Sequence, residues 1–274
     1  MKRTIVSIIL LSLLPCLAMA YDFVADGIYY TITDRHQRTV EVTHWEELTG
    51  DGGKPVRLYH DQCCSTHDHH DGHMTRKHRL LALLDEAAEE RERTAYIGEV
   101  VIPSEVRYRG IRYRVTGIGD GSFFGRKQLT AVTLPPTITY IGRAAFENCT
   151  ALTHIVLPDA VRDIRFAAFR RCLNLTELTL PDSVQTVGMY AFAFCEHLTQ
   201  FRLPASVSTF PGNAFFHCVR LQRIILPHLV PPVVNNEEGL IMNFRGILFC
   251  VPEAALPRYR EDAFWSKQQL TINQ

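Results

Sequence analysis

The chain has 274 residues, 46 % hydrophobic and 21 % charged, with Lys+Arg and Asp+Glu equal at 29 each. That composition is ordinary for a folded protein with a substantial core. The zero net charge argues against nucleic acid or an anionic membrane as the main partner.

The N-terminus reads as a targeting segment. Lys2 and Arg3 form a short basic start, residues 5–17 an apolar run, and Ala18-Met19-Ala20 a small-x-small cleavage site. Residues 1–20 are therefore expected to be a signal peptide, with export to the cell surface, the periplasm or the medium. The apolar run is short for a bilayer span, and no later run is apolar enough for one. Cys16 offers lipidation as an alternative, although Pro15 stands where a small Gly or Ala is expected.

Residues 21–115 read as an N-terminal cap region carrying an insert at 44–96. The insert concentrates ligand-type side chains. Cys63, Cys64, His67, His69, His70 and His73 are interleaved with Asp61, Asp68 and Asp71. Neutral imidazole and thiolate suit zinc, copper or nickel, so this loop is the candidate metal site. It lacks a regular C-x-x-C or H-E-x-x-H spacing, and a solvated loop without a ligand or oxidation of vicinal Cys63-Cys64 are the competing readings. Residues 76–93 then predict a helix, with Leu80, Leu84, Ala87 and Ala88 on one face. That face packs on a flank of the fold or meets a partner.

After the insert, Val100 to Pro103 reads as a strand. Val106 to Tyr113 alternates around Arg109-Gly110 and predicts a hairpin. From there the chain repeats itself. Leu-Pro recurs at Leu134, Leu157, Leu180, Leu203 and Leu226, each step being 23 residues. Ala-Phe keeps the step at Phe146, Phe169, Phe192 and Phe215, and so do Cys149, Cys172, Cys195 and Cys218. A fixed period in this range marks a solenoid, in which one repeat cannot bury its apolar face alone. Four coils fit the template at 129–151, 152–174, 175–197 and 198–220, within a repeat region at 116–228. A preceding incomplete coil has Arg126 in the cysteine slot. A fifth begins at Leu221 and loses the pattern after Pro227.

Within a coil, residues 176–180 alternate as in a half-buried strand, with Leu178 and Leu180 inward. Pro181 ends the strand because it cannot donate to a ladder. Val184 and Val187 turn into the core, Gly188 suits a tight bend, and Phe192 fills the interior. Residues 229–274 read as a C-terminal cap. Phe249 to Pro252 gives a last strand, and residues 256–265 an amphipathic stretch that covers the open end of the core.

The motif Leu-x-x-Leu-x-Leu-Pro-x-x-Val-x-x-Val-Gly-x-x-Ala-Phe-x-x-Cys at 175–195, with its three sister copies, resembles the BspA-like leucine-rich repeats of bacterial surface proteins. The opening at Tyr21 to Tyr30 and the ending Val251-Pro252, Tyr259 and Trp265 are similar to those proteins as well. The resemblance implies a right-handed leucine-rich solenoid with short parallel strands. It also implies export to the envelope or surface, and binding to a protein or extracellular matrix rather than catalysis. The family carries no shared catalytic residues, and the 44–96 insert departs from its pattern.

The chain has no G-x-S-x-G, phosphate loop, dinucleotide fingerprint or zinc-protease motif, so no enzyme is expected. Export favours disulfides, and stacked coils bring cysteine Cα atoms within bridging range. Side chains in a column point the same way, however, which favours buried thiols. Inward residues are fixed by the core, so a partner is expected on the outward residues of the repeat strands. These are His154, Val156, Glu177, Thr179, Gln200, Arg202, Arg223 and Ile225, with Ala131 and Thr133 beside them, as two columns on one sheet. Two functions follow: an exported binding protein acting through that face, in adhesion, and an envelope metal-binding protein acting through the loop at 60–78.

Overall fold

The computed structural model describes residues 22–25, 28–43, 96–235 and 246–273. The signal segment, the insert up to residue 95 and the helix expected at 76–93 lie outside them.

In chain order the strands begin with β1 (Phe23–Ala25), β2 (Ile28–Asp34), β3 (Thr39–Thr43), β4 (Gly98–Val101), β5 (Glu105–Tyr108) and β6 (Ile111–Ile118). The repeats supply β7 (Leu129–Thr133), β8 (Tyr140–Ile141), β9 (His154–Val156), β10 (Asp163–Ile164), β11 (Glu177–Thr179) and β12 (Thr186–Val187). They continue with β13 (Gln200–Arg202), β14 (Thr209–Pro211), β15 (Arg223–Ile225) and β16 (Val233–Asn235). The C-terminal part adds β17 (Leu248–Val251), helix α1 (Leu256–Glu261) and β18 (Gln269–Ile272).

Each coil contributes two short strands and a corner. The first strand carries one inward aliphatic between two outward residues, as in Ile155 between His154 and Val156. The leucine-proline turn then leads to the second strand, and the chain returns through the corner that holds the buried Phe and Cys. Neighbouring coils pair in parallel with a step of 23, as in Ile155 with Leu178 and Ile164 with Val187. The result is a parallel β-solenoid.

At the N-terminal end, β1, β2 and β3 form an antiparallel meander, and β3 docks parallel to β6. β5 and β6 form an antiparallel hairpin whose turn residues Arg109 and Gly110 both have positive φ (50° and 78°), the geometry of a type I′ turn. Phe23 stacks on Tyr108 at 4.5 Å between ring centroids, joining meander to hairpin. At the other end, Trp265 and Tyr259 are buried against the last coils, and the Trp265 indole N–H donates to the Pro232 carbonyl at 2.9 Å.

Three expectations need correcting in part. The 23-residue pattern does end after Pro227, but the first-strand ladder runs on, because β15 pairs with β17 at a step of 25 (248 − 223) and β17 with β18 at a step of 21 (269 − 248). The strand at Phe249 is therefore not the last. Parallel strand pairing persists where the 23-residue period fails, since a ladder depends on which strands meet and not on the number of residues between them.

Gly142 and Gly188 each open a turn, accepting from Ala145 N–H at 3.4 Å and Ala191 N–H at 3.3 Å, but the turn is not the reason for a glycine. A Cβ on Gly142 would come within 2.5 Å of the Gly119 carbonyl carbon, and one on Gly188 within 2.5 Å of the Phe166 nitrogen. Glycine is needed there for close approach of coils. The left-handed positions lie further on, at Ala144, Ala167 and Tyr190 and at Asn148, Arg171, Phe194 and His217, with φ between 50° and 62°. Each costs roughly 1–2 kcal/mol for a residue bearing a Cβ. Bonds to the next coil offset that cost, as in Phe146 N–H to Ala168 O and Asn148 N–H to Arg170 O, both 2.8 Å.

The third correction concerns the repeat face. Its first strands form two four-stranded sheets, β4-β7-β9-β11 and β13-β15-β17-β18, rather than one.

The core runs along the axis as stacked rings. Phe123, Phe146, Phe169, Phe192 and Phe215 follow one another at centroid distances of 5.1, 5.3, 5.9 and 5.4 Å. Beside them Cys149, Cys172, Cys195 and Cys218 are free and buried. Each thiol donates to a phenylalanine carbonyl of the preceding coil, Cys172 to Phe146 at 3.1 Å and Cys195 to Phe169 at 3.3 Å. Burial pushes the Cys149 and Cys218 thiols up to about 12, and Cys172 and Cys195 upward as well.

Phe192→Ala removes a ring with no solvent exposure, packed at 4.9 Å from Phe201 and 5.4 Å from Phe215. It is expected to cost about 3–5 kcal/mol in chemical denaturation. A midpoint equal to that of the parent contradicts this packing. The four column thiols are expected to resist alkylation in the native protein at neutral pH and to react on denaturation, because the thiolate is the reactive form. Rapid native labelling of Cys172 or Cys195 contradicts their burial.

Candidate partner-binding face

The outward positions of the first strands are set by the ladder itself. In β9 and β11, His154 lies beside Glu177 and Val156 beside Thr179. All four are exposed, Val156 to 77 %. In β13 and β15, Gln200 lies beside Arg223 and Arg202 beside Ile225. Gln200 and Arg223 are exposed, whereas Arg202 and Ile225 are only partly so. β4 extends the face with Glu99 beside Ala131 and Val101 beside Thr133, Val101 being 66 % exposed.

The expected residues fall into two groups of four, one on each sheet. Arg202 is not a free cation. Its guanidinium donates to the Asp182 carboxylate at 2.8 Å, across from one coil to the next. Arg223 reaches the Cys250 sulfur at 3.7 Å. Cys250 occupies an outward position beside Ile225 yet is only 2 % exposed. The face therefore carries exposed valines toward its N-terminal end and engaged arginines toward its C-terminal end.

A second feature, on the corner flank, is missed by reading one coil at a time. Phe166, Tyr190, Phe194, Phe216 and His217 are neighbours, with centroid distances of 5.8 Å for Phe166–Tyr190 and 5.0 Å for Phe194–His217. Arg170 and Arg171 lie over Phe194 at 5.7 and 5.5 Å, a cation–π arrangement. The signal in the sequence is the column rather than the coil: 171, 194 and 217 share one position of the repeat.

A third cluster ties the meander to the repeats. The Tyr140 hydroxyl donates to the Glu41 carboxylate, Arg165 lies 4.4 Å over the Tyr140 ring, and Arg165 pairs with Asp120 at 3.7 Å. Burial raises the Glu41 pKa. The Tyr140 hydrogen bond and Arg165 oppose that rise, and Asp120 adds to it. Burial and Glu41 together push the Tyr140 hydroxyl up. Gly117 makes room for this tyrosine, because a Cβ there would meet the ring at 2.2 Å. The cluster holds structure together and offers no open coordination or nucleophile.

Cys63, Cys64, His67, His69, His70 and His73 lie outside the described residues. Among the described residues, no group of three or more His, Cys, Asp or Glu is placed to hold a metal ion. Nor is any described helix long and apolar enough to cross a membrane.

Comparison with known proteins gives one family match and several structural likenesses. Residues 116–236 match the BspA type leucine rich repeat region in 6 copies. A leucine-rich repeat protein of T. pallidum is similar at 21 % identity, over 92 % of this chain and 100 % of its own, with a TM-score of 0.57. A leucine-rich repeat protein from Bacteroides ovatus is 24 % identical over 85 % of this chain and 60 % of its own, with a TM-score of 0.48. The pneumococcal vaccine antigen PcpA is 18 % identical over 64 % of this chain and 41 % of its own, with a TM-score of 0.50. At these identities the likeness is one of fold. No curated protein sequence matches the chain.

The Glu41 cluster predicts a pH dependence. A folded pKa raised above the ordinary carboxylate value of 4.5 means that the folded protein binds the proton more tightly than the unfolded chain. The stability this group contributes is then present below pH 4.5 and lost as the pH rises through the folded value. Glu41→Gln keeps an acceptor for Tyr140 and removes the charge. Its stability relative to the parent is expected to improve from acid to neutral pH in urea titrations. A relative stability that falls over that interval contradicts the assignment.

Proposed function

We propose that this chain, whose residues 116–236 match the BspA type leucine rich repeat region, is an exported, surface-associated protein that holds a protein or matrix partner against its repeat face, in adhesion. Solenoids of this kind use an extended surface for binding rather than a catalytic centre. The observation that carries the reading is the outward row itself. Val101 and Val156 are 66 % and 77 % exposed on backbone paired into the ladder, Val101 on its edge strand β4 and Val156 on the inner strand β9. They are held rigidly, so a partner that covers them orders little of the protein on binding. His154 and Glu177 are polar neighbours of Val156, and Arg223 supplies a cation of the type enriched at binding hot spots.

The test uses the mature chain as bait with an envelope or matrix fraction, followed by affinity measurement on the captured partner. Arg202→Glu with Arg223→Glu is expected to weaken binding at least about tenfold, or 1.4 kcal/mol, with the fold intact. Arg202→Glu also places a carboxylate against Asp182, which is 75 % exposed at its side chain, so the cost to folding is screened by solvent. Unchanged affinity in the double variant moves the contact to the 44–96 insert.

A further inference from the structure

We infer that the solenoid is two rigid blocks joined by a hinge between residues 197 and 198, with its axis along the aromatic corner. Both backbone ladders are interrupted at this one joint. β9 pairs with β11, and β13 with β15, but no ladder joins β11 to β13. On the second flank, β8, β10 and β12 are consecutive, and β14 pairs onward with β16, yet β12 and β14 are in separate sheets.

The cause on the second flank is one residue. At each preceding joint, the residue after the second strand donates its N–H to the coil before. Gly142 donates to Ile118 O at 2.7 Å, Arg165 to Ile141 O at 3.0 Å and Gly188 to Ile164 O at 2.8 Å. The next residue in the series, 23 further on, is Pro211. Proline has no N–H, so the bond to Val187 O cannot form.

On the first flank, Phe201 stands where the other coils place Val132, Ile155, Leu178 and Ile224. Its ring packs 4.9 Å from Phe192 and 4.6 Å from Phe215, which fills the corner that smaller side chains leave free. Thr153 and Thr176 donate to the threonine one coil back, at 3.3 and 3.1 Å, and Gln222 donates to Thr199 at 2.9 Å. The series is broken between Thr199 and Thr176, and the His197 N–H instead reaches Leu173 O at 3.1 Å.

What crosses the joint is concentrated at the corner. Phe192 N–H donates to Ala214 O at 2.9 Å, Phe194 N–H to Phe216 O at 2.7 Å, and Cys218 Sγ to Phe192 O at 3.0 Å. Elsewhere two side-chain bonds cross, Ser206 to Val184 O and the exposed Arg202–Asp182 pair. Two strand flanks packed without ladder bonds and one hydrogen-bonded corner define a pivot. In a repeat array, cooperativity fails first at the weakest interface between neighbours. The described residues 198–235 and 246–273 are therefore a separate unit of opening from the coils before them. The division falls between Thr179 and Gln200, so motion about it changes the curvature of the outward row.

Native-state hydrogen exchange on the full mature chain tests this directly. Backbone amides of Ile224, Leu226, Phe249 and Val251 are expected to exchange through an opening that leaves Ile155, Ile164 and Phe169 protected, with protection at least about tenfold lower. Pro211→Arg restores a donor, using the side chain that already fits this slot at Arg165, and is expected to narrow that gap. Pro211→Gly restores the donor in the manner of Gly142 and Gly188 and is expected to act alike. One common opening for amides on both sides of residue 197 in the parent protein overturns the inference, whether or not either variant folds. A gap that persists unchanged in both folded variants overturns the role of Pro211.

Discussion

No coil in this chain has a hydrophobic interior of its own. Phe169 is buried because Phe146 lies 5.3 Å below it and Phe192 5.9 Å above it, and Phe146 and Phe192 are enclosed in the same way. The contact between successive coils is the interaction on which everything else depends. It sets the 23-residue step, because only a matched length brings like side chains over one another. It explains the glycines at 142 and 188, where neighbouring backbones leave no room for a Cβ. It sustains the left-handed corner residues, whose strain is tolerated because adjacent coils bond to that corner. It also demands special ends, since the first and last coils each lack a neighbour. The meander and hairpin supply one end, and Tyr259 and Trp265 the other.

The sequence is legible where the structure is periodic. Leu178, Leu180, Val184, Val187 and Phe192 all point where their spacing places them, because period carries burial directly. It is less legible where geometry depends on the neighbouring coil. The reason for Gly188 lies in the backbone of Phe166, far away in sequence. The strands after Arg223 keep their parallel pairing at steps of 25 and 21, so counting by 23 loses them. The candidate face was half legible: alternation identifies which side chains point outward, but it is blind to partners. That Asp182 occupies Arg202 follows from the leucine-proline turn of one coil reaching the strand of the next.

The joint after residue 197 was visible in the sequence, though only when columns are compared. Pro211 breaks a series of donors, and Phe201 a series of aliphatics. Each substitution alone reads as ordinary variation within a repeat. Their coincidence in one coil is what separates the sheets. The outward row is thus rigid within each half, with exposed valines on one side of the division and arginines engaged by Asp182 and Cys250 on the other. A partner spanning both halves meets a surface whose shape depends on the angle between them.

The register of the stack can be observed at a single kind of atom. Anomalous diffraction from sulfur locates each cysteine without reference to any starting coordinates. Stacked coils predict peaks for Cys149, Cys172, Cys195 and Cys218 in one row, at intervals near the strand spacing of about 4.7–4.9 Å. Two of those sulfurs fused at the bonded distance of about 2.05 Å, or peaks scattered off a common line, would contradict the account of a solenoid held together coil by coil.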